Sequence, residues 1–127
     1  MTQYKFVHSC IRVLDLDAAI EFYKKALGLE VVRKKDFPAG KFTLVFMGND
    51  QSDFQLELTY NYDREEPYQI GDGYSHIAVV VDDLKSSRER HKEMGYKVSD
   101  ITSLSQGSSG FYFLTDPDGY DIEIIQR

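Results

Sequence analysis

The chain has 127 residues, of which 42% are hydrophobic and 28% charged, and this composition fits one globular domain. The net charge of −6 disfavours nucleic acid as a partner, because phosphate binding requires basic patches. No apolar run reaches membrane-spanning length, and the first residues lack the apolar core of a signal peptide. Cys10 is the only cysteine, which excludes an internal disulfide and suits a reducing cytoplasm. Its place in an apolar strand predicts a packed, inert thiol.

The first half of the chain has the pattern of a strand, a helix and three further strands. Apolar residues spaced by three and four predict a helix that begins after Asp15 or Asp17 and ends at Gly28. In the first strand, His8, Cys10 and Arg12 share one face. Alternation predicts strands over residues 6–13, 29–35, 42–47 and 54–60.

A polar segment, residues 62–73, follows and is interpreted as a linker or as a lid. The pattern then restarts. A helix is predicted from the Asp82–Asp83 cap through Met94, with Leu84, His91 and Met94 facing inward and Gly95 ending it. The predicted strands cover residues 75–81, 96–101, 111–114 and 120–126, and a serine- and glycine-rich loop covers 103–110.

The two halves form an internal repeat, about residues 4–61 and 74–127 of one domain. Each half begins with a histidine on its first strand (His8 or His76) and ends with a glutamate on its last strand (Glu57 or Glu123). The predicted fold class is α+β, with two βαβββ modules that form a curved mixed sheet around a groove. A single module would leave one face of its sheet bare, so two must pack together.

The last strand carries the feature that needs an explanation. Asp116-Pro117-Asp118-Gly119 predicts a tight turn that leads directly into this strand. Alternation places Glu123 between two isoleucines that are expected to be buried on the opposite face. A carboxylate in such a place is costly unless a partner pairs with it.

Each of the two histidines and two glutamates of the repeat, taken alone, has an ordinary interpretation, such as a half-buried histidine or a glutamate paired with a cation. Their recurrence at equivalent positions of a repeat weakens that interpretation. Two neutral imidazoles and two carboxylates would balance a divalent cation, and this donor set suits Ni²⁺, Co²⁺, Zn²⁺ or Mn²⁺. His91 lies on a helix outside the pattern and is interpreted as a structural or surface residue.

The chain resembles the glyoxalase I (lactoylglutathione lyase) family of the vicinal oxygen chelate superfamily, in its short bacterial form. The resemblance covers essentially the whole chain. The motifs that carry it are His8 with Ile11-Arg12-Val13, Glu21-Phe22-Tyr23 with Leu27-Gly28, Leu56-Glu57-Leu58-Thr59-Tyr60-Asn61, His76-Ile77-Ala78, and Asp116-Pro117-Asp118-Gly119-Tyr120 with Ile122-Glu123.

The resemblance implies a function and a set of roles. His8, Glu57, His76 and Glu123 would bind the metal, with Ni²⁺ or Co²⁺ favoured over Zn²⁺. A homodimer would form each site from His8 and Glu57 of one chain and His76 and Glu123 of the other. The substrate would be the hemithioacetal of methylglyoxal and a thiol, and the product an S-D-lactoyl thioester. Glu123 would be the principal base and Glu57 the second acid/base.

Arg12 and Asn61 match positions that hold the glutamyl end of glutathione in this family. Three other features depart from the family pattern. The loop at 103–110 lacks a lysine, Tyr62 stands where the family usually has a tryptophan, and Asp72 adds negative charge. These departures leave a different thiol open. They also leave open another metal enzyme of the superfamily: an epimerase, a fosfomycin-type thiol transferase or a dioxygenase. A metal-free binding protein of the same fold is a further alternative.

Overall fold

The protein is described by a computed structural model that covers residues 1–103 and 110–127. The described residues form two compact units, Met1–Tyr68 and Gln69–Arg127, each with one helix and four strands. Most of the loop predicted over 103–110 lies outside the described residues.

The first unit is a four-stranded mixed sheet with one helix. Strands β1 and β4 pair in parallel, and the β4–β3 and β3–β2 pairs are antiparallel, which gives the order β1-β4-β3-β2. The elements are β1 (His8–Val13), α1 (Leu16–Leu27), β2 (Glu30–Phe37), β3 (Phe42–Asn49) and β4 (Ser52–Asn61).

The second unit repeats this topology with shorter strands. Strand β5 pairs in parallel with β8, and the sheet order is β5-β8-β7-β6. The elements are β5 (Ile77–Val81), α2 (Leu84–Glu93), β6 (Lys97–Val98), β7 (Phe111–Thr115) and β8 (Asp121–Gln126). The predicted α+β class with two βαβββ modules is confirmed.

Both helices begin at the predicted aspartate caps, and α1 ends at Gly28 as predicted, whereas α2 ends at Glu93, one residue before the predicted Met94. Asp15 caps α1 by accepting a hydrogen bond from the backbone N–H of Ala18, and Asp83 caps α2 in the same way. Gly28 ends α1 with φ = 67°, a conformation that costs glycine little because it has no Cβ.

Each sheet buries one face under its helix, and the histidine–glutamate face is the other one. In β4, Leu56 and Leu58 are buried, and in β8, Ile122 and Ile124 are buried. Glu57, between the leucines, is only partly buried, as the period of two in a strand requires.

The main differences from the sequence prediction lie in the second unit. The strand expected over 75–81 begins at Ile77, so His76 lies immediately before β5. The strand expected over 96–101 is reduced to Lys97–Val98, because the Ser99 hydroxyl accepts the backbone N–H of Phe113 and so interrupts the backbone ladder. Met94 is exposed rather than inward-facing.

Candidate active site

His8 and Glu57 form an ion pair on the first sheet. His8 begins β1, Glu57 lies in the adjacent strand β4, and Nε2 of the imidazole is 3.0 Å from Oε1 of the carboxylate. The histidine side chain is 39% exposed and the glutamate side chain 12% exposed. The pair is therefore held by the sheet while its imidazole still reaches solvent.

His76 and Glu123 form the equivalent pair on the second sheet. His76 precedes β5, Glu123 lies in β8, and Nε2 of the imidazole is 3.2 Å from Oε1 of the carboxylate. The side chains are 33% and 17% exposed. Separation and burial thus both match those of the first pair.

An aromatic ring supports each histidine from the same place in its sheet. Phe46 pairs with Glu57 in the β3–β4 ladder, and its ring meets that of His8 edge-on at 5.5 Å. Phe113 pairs with Glu123 in the β7–β8 ladder and meets His76 at 5.5 Å. The repeat therefore reproduces the neighbouring aromatic contact as well as the histidine and the glutamate.

A pocket of about 670 Å³ lies in the first unit and contains both residues that were predicted to bind substrate. Arg12 comes from β1 and Asn61 from the end of β4. The Asn61 amide donates a hydrogen bond to the hydroxyl of Tyr68 at 2.9 Å. The lining residues are Arg12, Gly40, Lys41, Asn61, Asp63, Arg64 and Tyr68.

Comparison with known proteins places this arrangement in a family. Residues 5–124 match the model of the glyoxalase/bleomycin resistance protein/dioxygenase superfamily. The chain belongs to this superfamily. The resemblance to glyoxalase I that the motifs predicted is confirmed.

Two bacterial relatives match nearly the whole chain. A lactoylglutathione lyase of Neisseria meningitidis is 42% identical over 126 residues, which cover 97% of this chain and 91% of that protein. A probable lactoylglutathione lyase of Synechocystis is 40% identical, with 94% and 93% of the two chains covered.

Solved glyoxalase I structures have the same fold. The trypanothione-dependent glyoxalase I of Leishmania major superposes with a TM-score of 0.84 at 38% identity, over 98% of this chain and 87% of that one. Glyoxalase I of Zea mays superposes with a TM-score of 0.87 at 38% identity. That match covers 97% of this chain but only 44% of the maize chain.

The donor atoms of both pairs fit the divalent metal that the resemblance to glyoxalase I implies. Imidazole nitrogen and carboxylate oxygen are ligands that Ni²⁺, Co²⁺ and Zn²⁺ accept in proteins. In each pair, a bound cation would take the imidazole nitrogen and the carboxylate oxygen, which already lie 3.0 and 3.2 Å apart, as its ligands. Among residues 1–103 and 110–127, no three His, Cys, Asp or Glu side chains form one cluster, so the predicted ligands are present as two pairs.

Polar contacts around the pairs add residues that the sequence analysis missed. The Ser75 hydroxyl lies 2.7 Å from Nδ1 of His76, a contact that fixes the orientation of the ring. The Thr59 hydroxyl donates to Oε2 of Glu57 at 3.3 Å. Thr59 is two residues beyond Glu57 on the same strand face, and this spacing could have identified Thr59 as a neighbour of the carboxylate from the sequence alone.

The expectation of a packed Cys10 is wrong, because the residue is exposed. Its Sγ lies 3.1 Å from the hydroxyl oxygen of Thr59. Desolvation of the sulfur raises the pKa of the Cys10 thiol, and the nearby charge of Glu57 raises this pKa further. The thiol therefore stays protonated near neutral pH, which disfavours a nucleophilic role.

The pocket also contains charged residues that the motifs did not single out. Lys41 and Asp63 form an ion pair at 3.1 Å. The guanidinium of Arg64 lies 4.2 Å from the ring centroid of Tyr68 and donates to the carbonyl oxygens of Glu66 and Pro67. These contacts fold the start of the polar segment 62–73 against the end of the first sheet.

His91 is a buried structural residue of α2 and takes no part in either pair. Only 2% of it is exposed, and its Nδ1 lies 2.6 Å from the hydroxyl of Tyr112. Tyr112 also contacts the Ser87 hydroxyl at 2.7 Å, so the cluster joins α2 to β7. Neither of the two helices found among the described residues is long and apolar enough to cross a membrane.

Proposed function

We propose that the chain is a lactoylglutathione lyase (glyoxalase I) that isomerises the hemithioacetal of methylglyoxal and a thiol to an S-D-lactoyl thioester. The observation that carries the proposal is the pair of equivalent His–Glu sites, at 3.0 and 3.2 Å, in a chain that is 42% identical to a lactoylglutathione lyase. The activity would detoxify methylglyoxal. A cytoplasmic location suits a protein whose one cysteine cannot form an internal disulfide.

His8, Glu57, His76 and Glu123 would hold one divalent cation. Ni²⁺ and Co²⁺ are the favoured metals, and Zn²⁺ or Mn²⁺ would suit the same nitrogen and oxygen donors. When bound, the cation would stabilise negative charge on the adjacent oxygens of the substrate. The chain itself supplies the ligands, the ring orientations and the proton-transfer groups.

We propose a homodimer in which each site takes His8 and Glu57 from one protomer and His76 and Glu123 from the other. The supporting observation is that each pair lies in its own unit and that, in the part of the chain that the structure describes, no third ligand-type side chain joins it. Apolar side chains exposed beside the first pair also favour a partner surface, namely those of Phe6, Val7 and Phe54.

The glutamates would move the proton. Glu123, as the principal base, takes the proton from C1 of the hemithioacetal and returns it to C2. The electron pair of the broken C1–H bond moves towards C2, so C1 is oxidised while C2 is reduced. No external oxidant or reductant is needed. Glu57 acts as the second acid/base.

The pocket around Arg12 and Asn61 would receive the end of the thiol that carries an amino acid group. Arg12, Lys41 and Arg64 bring three cationic side chains to it, against the single carboxylate of Asp63. Such a pocket favours a carboxylate, and Asp63 offers an acceptor for an ammonium group. This charge pattern supports glutathione or a related γ-glutamyl thiol, although the loop at 103–110 carries no lysine for a second carboxylate.

An assay with methylglyoxal and a panel of thiols, with the metal content measured first, tests the proposal. We expect thioester formation with glutathione or a related thiol and the loss of that activity after chelation. No thioester with any thiol, in protein shown to bind Ni²⁺ or Co²⁺, would contradict the lyase and favour an epimerase, a thiol transferase or a dioxygenase. Absence of metal affinity would instead favour a binding protein of the same fold.

A further inference from the structure

We propose that Thr59 and Cys10 are positioning residues that fix the carboxylate of Glu57, and that they thereby leave the mobile role of principal base to Glu123. This inference rests on the proposed function. Glu57 and Glu123 occupy equivalent positions in the repeat, and these contacts would explain why the two glutamates have different roles in proton transfer.

Both oxygens of the Glu57 carboxylate have a partner. Oε1 lies 3.0 Å from Nε2 of His8, and Oε2 accepts the hydroxyl proton of Thr59 at 3.3 Å. The second bond is long for a hydroxyl and a carboxylate, as is common at enzyme sites before substrate binds. Rotation of the carboxylate about its last torsion would break both contacts together.

The direction of the hydrogen bonds follows from the number of protons available. A threonine hydroxyl has one proton, and an ionised carboxylate can only accept. With the Thr59 proton on Glu57, the Thr59 oxygen, 3.1 Å from Sγ, is left to accept from the thiol of Cys10, in preference to the more distant carbonyl oxygen of Ile11 at 3.8 Å. The chain of donors therefore runs from Cys10 through Thr59 to Glu57, and each bond polarises the next.

The parallel pairing of β1 and β4 builds this chain of hydrogen bonds. Cys10 lies opposite Glu57 in the ladder, and Arg12 lies opposite Thr59. Cys10 is two residues beyond His8, and Thr59 is two residues beyond Glu57, so all four side chains share one sheet face.

The second repeat lacks these groups. Ala78 occupies the position two residues beyond His76, and Ile125 occupies the position two residues beyond Glu123. Neither side chain can donate a hydrogen bond. Within residues 1–103 and 110–127, His76 is the polar side chain that contacts the carboxylate of Glu123. The repeat therefore gives Glu123 no counterpart of the Thr59 hydroxyl bond, as suits a base whose carboxylate must move during proton transfer.

Thr59→Val tests the first link, because valine keeps the β-branched shape and removes the hydroxyl. We expect the dissociation constant for Ni²⁺ or Co²⁺, measured by calorimetry without substrate, to rise about 10-fold. We expect kcat to fall with KM unchanged, and Thr59→Ser to restore both quantities. The matched control is Thr115→Val, which removes a strand hydroxyl that donates to Asp121 at 2.9 Å in the second unit, and it should change neither.

A double-mutant cycle tests the second link. If Cys10 acts through Thr59, then Cys10→Ala should weaken metal binding in the wild-type chain and have no further effect in Thr59→Val. Metal affinity equal to wild type in a folded Thr59→Val protein would overturn the inference, as would an equal effect of Cys10→Ala in both backgrounds. The wild-type thioester assay reports separately on the proposed function, since metal affinity is measured without substrate.

Discussion

Asp116 and Tyr120 form two hydrogen bonds with each other across the turn that leads into β8. The backbone N–H of Tyr120 donates to Oδ1 of Asp116, and the backbone N–H of Asp116 donates to the carbonyl oxygen of Tyr120, both at 2.9 Å. Asp116 is buried, and its Oδ1 also accepts the N–H of Asp118. The turn is thus closed before β8 begins, and this closure fixes the register in which Glu123 faces His76. A slip of one residue would turn the carboxylate to the opposite face.

The turn depends on Gly119, so we expect Gly119→Ala to destabilise the protein by about 1–3 kcal/mol. Gly119 has φ = 97°, and an added Cβ would approach Cδ1 of Ile70 at 3.3 Å. Urea unfolding measures the difference. The control is Gly73→Ala, because Gly73 needs no positive φ and a Cβ there would meet no described atom within 4 Å. Equal unfolding midpoints for the two variants would contradict the role of the turn.

Glu123→Gln is expected to lower kcat by about 10²-fold or more while the fold is kept, because the amide cannot accept the C1 proton. Glu57→Gln should lower kcat less if Glu57 is the second acid/base. Steady-state assays with saturating metal, together with circular dichroism, measure both quantities. Glu30→Gln removes an exposed carboxylate that pairs with Lys24 and serves as the control. Near-normal turnover of Glu123→Gln would remove this residue as the base.

Arg64→Met should raise KM for the glutathione adduct by roughly 10–100-fold, since a charge-assisted hydrogen bond contributes about 1.5–3 kcal/mol. Two backbone carbonyls and the ring of Tyr68 hold the guanidinium at the pocket. Methionine keeps much of the contact with the ring but removes the charge. With a small thiol that lacks an amino acid group, the same variant should have an unchanged KM. Equal increases with both thiols would point to a general defect instead of lost recognition.

Local pattern was sufficient to predict most of the fold. Alternation along β4 and β8 and the aspartate and glycine signals at the helix ends depend on near neighbours, so they can be read from one chain. The equivalence of His8 with His76, and of Glu57 with Glu123, followed from the repeat. The pairing of β1 with β4, and of β5 with β8, then places each histidine beside its glutamate, at 3.0 and 3.2 Å.

The missed features depend on contacts that no local pattern specifies. Arg64 reaches the pocket because the chain after β4 folds back through side chain–to–carbonyl hydrogen bonds. The truncation of β6 arises from one hydroxyl, that of Ser99, which replaces a backbone acceptor. The exposure of Cys10 was missed because its strand is apolar in sequence, while its own face of the sheet is the one that carries His8.

Tyr74 should make the protein less stable as the pH rises above 10. Its hydroxyl donates to the carbonyl oxygen of Asp121 at 2.9 Å. Burial, followed by the charge of Asp116, raises the pKa of Tyr74 from 10.0 to about 12. Between these values the unfolded chain loses the phenolic proton and the folded chain keeps it, so the free energy of unfolding falls as pH rises. Below pH 10 both states are protonated, and this contribution is fully present.

Tyr74→Phe should therefore reduce the pH dependence of stability above pH 10. At about pH 8 we expect the variant to be less stable by about 1 kcal/mol, because it lacks the hydrogen bond to Asp121. The difference from wild type should shrink and then change sign as pH rises from 10 towards 12, since phenylalanine has no proton to lose. Urea unfolding midpoints of the two proteins across this range measure the effect. Tyr4→Phe, at an exposed position, is the control and should follow the wild-type curve. Burial also raises the pKa of Tyr112, so the variant should retain part of the alkaline decline; curves for Tyr74→Phe and wild type that stay parallel would contradict the assignment to Tyr74.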